Sequence, residues 1–190
     1  MMSSFFAMVS RMKYINRWGL MNNTKTENIS EHSLQVAMLA HVLVTIANRR
    51  LGENLDADRA AVIGIYHDAG EIITGDLPTP IKYYNADIKS AYKEIEHIAE
   101  QRLLNMLPED IREEYRDIVS PGDGPLMAYV KAADKLSALI KCIEEVRMGN
   151  TEFNDAKTAT EKAIAEMHLP ALDIFTEEFL PAFEKTLDEL

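Results

Sequence analysis

Between Glu31 and about Arg50 the sequence is apolar almost all the way round a helix. Leu34, Val36, Ala37, Met38, Leu39, Ala40, Val42, Leu43, Val44 and Ile46 leave no broad polar face. Such a helix has to be covered on every side, so the pattern predicts a central helix with the rest of the fold built around it. Ser30 is its expected N-cap. His32 falls in the first turn and His41 nine residues later, so at about 100° per residue the two imidazoles face opposite ways. The longest apolar run, Leu34 to Ala47, contains Gln35, His41 and Thr45 and falls short of the roughly 18–20 residues that a bilayer span needs.

The remaining segments also read as helices. Phe5, Phe6, Met8, Val9, Met12 and Ile15 fit one broad apolar stripe over residues 3–15, closed by Asn16-Arg17-Trp18-Gly19. A polar connection, 22–28, looks like a loop lying over something. After Gly52 and Asn54, Asp56 or Asp58 caps a helix expected to carry His67, Asp68 and Glu71 on one face, with Gly75, Pro78 and Pro80 stopping it. A helix from Ala86 to about Met106 is expected to turn Ile88, Tyr92, Ile95, Ile98 and Leu103 inward. Pro108 marks a restart, and 120–125 is the strongest break in the chain. Leu126 to about Met148 forms a helix holding Asp134, ended by Gly149-Asn150. Amphipathic segments 152–167 and 171–187 follow, separated at Pro170. With no credible strand, the expectation is an all-α, bundle-like single domain spanning residues 1–190, with six or more helices.

Composition narrows the function. The 20 Lys and Arg against 31 Asp and Glu give a formal net charge of -11, a field that repels nucleic-acid polymers but not a small phosphorylated ligand held by a metal and an arginine. One cysteine, Cys142, permits no internal disulfide and suits a reducing compartment. The apolar N-terminus lacks the basic leader of a signal peptide. The expected setting is cytoplasmic, with no membrane partner. The ten methionines read as core filling.

Four groups stand out chemically. Imidazole and carboxylate ligands together suit divalent ions of the Mn, Fe, Co and Ni type, and a reactive site needs three or four such ligands from different elements. His32, His67, Asp68 and Asp134 supply that set. Asp134 stands among Ala132, Ala133, Leu136, Ala138, Leu139 and Ile140, where a carboxylate is costly unless paired or metal-bound. Lys131 and Lys135 are the alternative partners for it. Arg17 could equally be a surface cation at a helix end, and Trp18 a core anchor. His41, His97 and His168 read as structural.

His32, then His67-Asp68, then Asp134 reproduce the H…HD…D signature of the HD-domain metal-dependent phosphohydrolases. Ile15-Asn16-Arg17-Trp18, Glu31-His32-Ser33-Leu34-Gln35-Val36-Ala37, the stretch Tyr66 to Pro80 and Val130-Lys131-Ala132-Ala133-Asp134 extend the match. The chain thereby resembles the bacterial HD-domain 5'-deoxynucleotidases of the YfbR type. The likeness is strongest before residue 85 and thinner after 150. The resemblance implies a homodimeric hydrolase that releases phosphate from deoxyribonucleoside 5'-monophosphates by attack of a metal-bound water. One divalent ion per subunit is implied, Co²⁺ favoured, with Mn²⁺ or another transition metal possible. By position, His32, His67, Asp68 and Asp134 would ligate the metal, and Glu71 would activate or position the water. Arg17 would orient the phosphate, Trp18 would pack against the nucleotide, and Asp76, Leu77, Pro78 and Thr79 would hold the sugar. His32, Asp68 and Asp134 would contact the substrate as well. Gly19 stands where a proline is expected after Trp18. Two other readings are a phosphodiesterase or pyrophosphohydrolase acting on a larger nucleotide, and a non-catalytic helical protein retaining a structural metal. Glu71 and Arg17 speak against the second, since a structural site needs neither.

Overall fold

The computed structural model describes residues 2–82 and 84–190. In chain order its helices are α1 (Phe5–Val9), α2 (Ile29–Arg50), α3 (Ala57–Tyr66), α4 (Glu71–Thr74), α5 (Thr79–Lys82), α6 (Ala86–Leu104), α7 (Glu109–Val119), α8 (Pro125–Arg147), α9 (Asn154–Ala165) and α10 (Pro170–Glu178). Short 3₁₀ turns cover Ser10–Tyr14, Thr151–Phe153, Leu180–Glu184 and Leu187–Glu189. Among the described residues there is no strand, only an isolated antiparallel bridge between Asn16 and Asn28. The expected all-α class is borne out.

α2 is the axis. It packs along α3 and α8 and against α10, and Val36, Ala40, Leu43, Val44 and Ala47 are wholly buried. Each large apolar side chain buried there contributes about 1.5–3 kcal/mol. The enclosure is incomplete, however: Leu34 and Met38 remain exposed. α2 also corrects the membrane expectation, because by length and composition alone it could cross a bilayer. Here it carries a wholly buried His32 and lies mostly inside the fold, as a core helix does.

Its start lies earlier than Ser30. The Asn28 side chain accepts from the Ser30 and Glu31 backbone N–H groups, and Glu31 reaches back to the Asn28 N–H, completing a capping box. Asn28 is held in that register by its bridge to Asn16.

α2 and α3 approach so closely that a Cβ on Gly64 would sit 2.9 Å from the Ala37 Cα. This contact sets the spacing between α2, which carries His32, and α3, whose C-terminal end leads into His67. α3 ends at Tyr66, so His67, Asp68 and Glu71 do not share one helix as expected. His67 donates from Nδ1 to the Gly64 carbonyl at 2.8 Å, an acceptor that a continuing helix would use. The chain tightens into i→i+3 turns, Ala69 N to Tyr66 O and Glu71 N to Asp68 O. The segment is clamped from both sides. Ile63 lies in the main core, while Ala69 lies in a second cluster with Phe5, Leu103, Leu104, Leu107 and Val119.

Other expectations shift in detail. Asp56, not Asp58, caps α3. Phe6 is exposed beside buried Phe5. On α6 only Tyr92, Ala99, Leu103 and Leu104 are buried; Ile88, Ile95 and Ile98 reach the surface because this peripheral helix is covered along one narrow side. Pro78, Thr79 and Pro80 lead into a short helix rather than a plain turn. Pro170 separates α9 from α10 as expected, standing in the first turn of α10, and the last segment breaks after Phe179.

Candidate functional site

Three elements converge at one end of a cavity of about 680 Å³. α2 brings His32, the turn after α3 brings His67 and Asp68, and α8 brings Asp134. The Asp68 Oδ2 lies 3.5 Å from His32 Nε2, 3.2 Å from His67 Nε2 and 3.3 Å from an Arg17 Nη1 that donates to it. Asp134 Oδ1 lies 3.2 Å from His32 Nε2. Ligand atoms of His32, His67 and Asp68 all fall within 4.8 Å of one another, a group that could hold a metal ion. Asp134 adjoins that trio through the same His32 Nε2 but falls outside the 4.8 Å group.

The histidine protonation pattern is set from behind. His67 Nδ1 faces a carbonyl, which can only accept, so Nδ1 carries a proton. His32 Nδ1 is 3.0 Å from the Ser137 hydroxyl, whose proton goes to Gln35 Oε1 at 2.6 Å. That hydroxyl is left to accept, so His32 Nδ1 is protonated too. Both rings therefore turn an unprotonated Nε2 toward the Asp68 carboxylate, which lines the cavity. Both Nε2 atoms are buried and hydrogen-bonded to nothing. Buried polar atoms without partners are rare in folded proteins, and two of them facing one carboxylate oxygen fit a divalent cation.

Charge is arranged accordingly. Burial opposes a charged His67, but the neighbouring Asp68 carboxylate outweighs it and lifts the imidazole above its ordinary value. Burial would raise Asp68, yet His67 first and then His32 hold it well below the usual carboxylate range. Asp134 is likewise held down against burial, chiefly by His32. Lys135 approaches Asp134 only to 3.9 Å, and Lys131 pairs instead with Asp123, so neither lysine neutralises Asp134 closely. Glu71 is the reverse case. It is buried, its Oε2 has no partner, and burial together with Asp68 and Asp76 pushes it up to about 9.

Arg17 and Trp18 line the cavity next to this cluster. Backbone bonds Arg17 N to Glu27 O and Ile29 N to Ile15 O clip the strand-like entry to the start of α2. Glu27, a residue the sequence reading missed, takes the Arg17 Nε at 3.2 Å and the Trp18 Nε1 at 2.9 Å on one carboxylate oxygen. Trp18 adopts a left-handed φ of 60° and rests its ring against buried Phe153 at 5.3 Å.

Asp76, Leu77, Pro78 and Thr79 line the cavity, with Gly75 at φ 75° turning the chain out of α4. Lys82 was not foreseen there. It pairs with Glu96 at 2.6 Å and lies over the Tyr92 ring. The far wall comes from α9, with Ala156, Ala159, Thr160 and Ala163. Lining residues include five carboxylates against three cations (Arg17, Lys82, Lys135). A phosphate dianion would be repelled from such a lining unless a further cation joined it. The other histidines are elsewhere. His41 and His97 do have carboxylate neighbours, Asp58 at 3.4 Å and Glu100 at 3.7 Å, but on the surface.

Comparison with known proteins fits this geometry. The family model described as 5'-deoxynucleotidase YfbR-like matches residues 4–183. A 5'-deoxynucleotidase of Shewanella oneidensis is 52% identical over 191 aligned positions, covering 100% of this chain and 98% of its own. The 5'-deoxynucleotidase yfbR of Photorhabdus temperata is 51% identical, with 100% and 97% covered. An HD-domain phosphohydrolase from Listeria innocua superposes with a TM-score of 0.83 at 20% identity, over 95% of this chain and 88% of that one. A cyanophage S-2L HD phosphohydrolase, solved bound to dA and one catalytic Zn²⁺ ion, gives 0.66 at 20% identity over 95% and 96%. At such identities the solved structures speak for the fold alone.

Proposed function

The chain belongs to the YfbR-like 5'-deoxynucleotidase family, and on that footing we propose that the converging groups at the end of its cavity are the active site. It is a phosphoric monoester hydrolase that converts deoxyribonucleoside 5'-monophosphates to deoxynucleoside and phosphate. The observation that carries the site assignment is the pair of buried, unpartnered Nε2 atoms facing Asp68.

In this reading His32, His67, Asp68 and Asp134 hold one divalent ion, cobalt first by family resemblance, with manganese or another transition metal as the alternatives. A bound divalent ion supplies positive charge against the phosphoryl oxygens and acidifies its water. Arg17, fixed by Glu27 on Nε and Asp68 on Nη1, keeps further N–H groups of its planar fork for the phosphate. A cation held beside Asp68 would offset the burial and neighbouring charge that hold Glu71 up at about 9, and the ionised Glu71 would then offer Oε2 as acceptor for the proton of the attacking water. Water oxygen bonds to phosphorus, the P–O5' bond breaks, and O5' takes up the proton that Glu71 received, so the nucleoside leaves as the alcohol. Trp18 provides a flat apolar wall for the nucleoside, and Asp76 accepts from a sugar hydroxyl. Residues 1–190 act as one HD-type domain in the cytoplasm, and two copies associate; a light-scattering mass of a single 21.5 kDa chain would contradict the dimer.

Phosphate release from a deoxynucleoside monophosphate with added Co²⁺ tests the roles. Asp68→Ala and Glu71→Ala should each lose about 10²-fold or more in kcat, with Asp68→Ala also losing metal. Full activity in either variant would overturn that residue's role.

A further inference from the structure

We propose that Glu145, with Lys141 and Asn150, is a positioning residue for the nucleotide, holding the loop that carries Trp18 in its strained place on the cavity wall. The inference rests on the reading of Trp18 as a substrate contact.

Trp18 is one of only two non-glycine residues with positive φ among those described. A bulky side chain occupies that region only where its surroundings hold it. Its carbonyl accepts from Met21 N at 2.9 Å and Asn23 Nδ2 at 3.2 Å, so the turn beyond it determines its backbone. That turn is fastened to the C-terminal end of α8. Glu145 accepts from Thr24 N at 2.9 Å on one oxygen and from Lys25 N at 3.1 Å on the other. Lys141 Nζ donates both to the Lys25 carbonyl and to Glu145. Asn150 Nδ2 donates to Glu145 and to the Asn22 carbonyl, each at 2.8 Å.

Glu145 is 1% exposed and Lys141 6%. A buried ion pair roughly breaks even in stability against apolar residues of the same size, so what this pair adds is defined geometry for the loop it bonds. The Glu145 carboxylate collects four donors, from Thr24, Lys25, Lys141 and Asn150, two of them loop backbone N–H groups that an apolar replacement could not bind. Asp134, Ser137, Lys141 and Glu145 follow one another at spacings of three, four and four residues, one face of α8. The helix that presents Asp134 and braces His32 through Ser137 therefore also braces the Trp18 loop, about 16 Å further along its axis. One rigid element thus sets the distance between the phosphate end and the nucleoside wall.

Trp18 is the only tryptophan in the chain, so its fluorescence reads the loop directly. In Glu145→Gln we expect red-shifted emission and about twofold stronger acrylamide quenching, with unchanged far-UV circular dichroism and Co²⁺ affinity within about twofold of wild type. KM for a deoxynucleoside monophosphate should rise about tenfold while kcat stays within about twofold, the signature of lost ground-state positioning. Wild-type emission, or a fall in kcat at unchanged KM, would overturn the proposal. Absence of turnover in the wild-type protein would instead count against the nucleotidase reading, and the emission arm would still decide this one. If Glu145→Gln does not fold, Asn150→Ala, which spares the ion pair, decides: a smaller shift of emission and KM in the same direction supports the bracing, and no shift refutes it.

Discussion

The proton on His32 Nδ1 is fixed by a chain of two hydrogen bonds, to the Ser137 hydroxyl and from that hydroxyl to Gln35. Groups behind a metal-binding imidazole commonly change metal affinity by 10–100-fold, because they set its tautomer and ring angle. Ser137→Ala should therefore weaken Co²⁺ binding about tenfold or more, measured by calorimetric titration of the purified protein, with little change in helix content. Unchanged affinity would mean that packing alone orients His32. His32, His67, Asp68 and Asp134 were legible in the sequence because ligand-type side chains stand inside apolar runs, where an unpaired polar group is costly. Ser137, Glu27 and Glu145 were not. Ser137 and Glu145 act through partners more than a hundred residues away, and Glu27 looks like any loop carboxylate until Arg17 and Trp18 are seen to share it.

Between elements, the α2–α3 contact at Gly64 sets the gap across which His32 and His67 face each other. A methyl group there would meet backbone at 2.9 Å, which cannot rotate away. Gly64→Ala should lower stability by about 1–3 kcal/mol through overpacking, and the separated helices should bind Co²⁺ more weakly; thermal unfolding with and without metal reads both effects. The α8 brace predicts a pH effect. Burial alone would raise Glu145, but donors from Lys141, Asn150, Thr24 and Lys25 hold it well below the usual carboxylate range. A depressed folded-state value contributes stability above the ordinary carboxylate pKa of 4.5, and that contribution is lost as pH falls toward the lower folded value. The difference in Tm between wild type and Glu145→Gln should be widest near neutral pH and close below about pH 4.5; a gap independent of pH would contradict the ionised brace. At this scale the sequence showed where helices lie but not how they end. Asn28 replaced Ser30 as cap because a backbone bridge to Asn16 fixed its register, and the helix expected through Glu71 broke after Tyr66, where the His67 imidazole engaged the Gly64 carbonyl. Neither competitor is visible in local propensity.

For the whole molecule, net charge and site charge pull the same way. A chain of formal charge -11, with a cavity lined by more carboxylates than cations, attracts an anionic substrate only if a cation is installed first. The site thus fits a metal-dependent monophosphatase better than a nucleotide-binding helical protein. The most direct measurement is inorganic phosphate released from a panel of deoxynucleoside and ribonucleoside mono-, di-, tri- and cyclic phosphates, with Co²⁺, with Mn²⁺ and with excess chelator. A metal-dependent monophosphatase releases phosphate from deoxynucleoside 5'-monophosphates with metal, abolished by chelator and restored by adding metal back. Equal release in chelator, or turnover confined to the di-, tri- or cyclic phosphates, would contradict that activity.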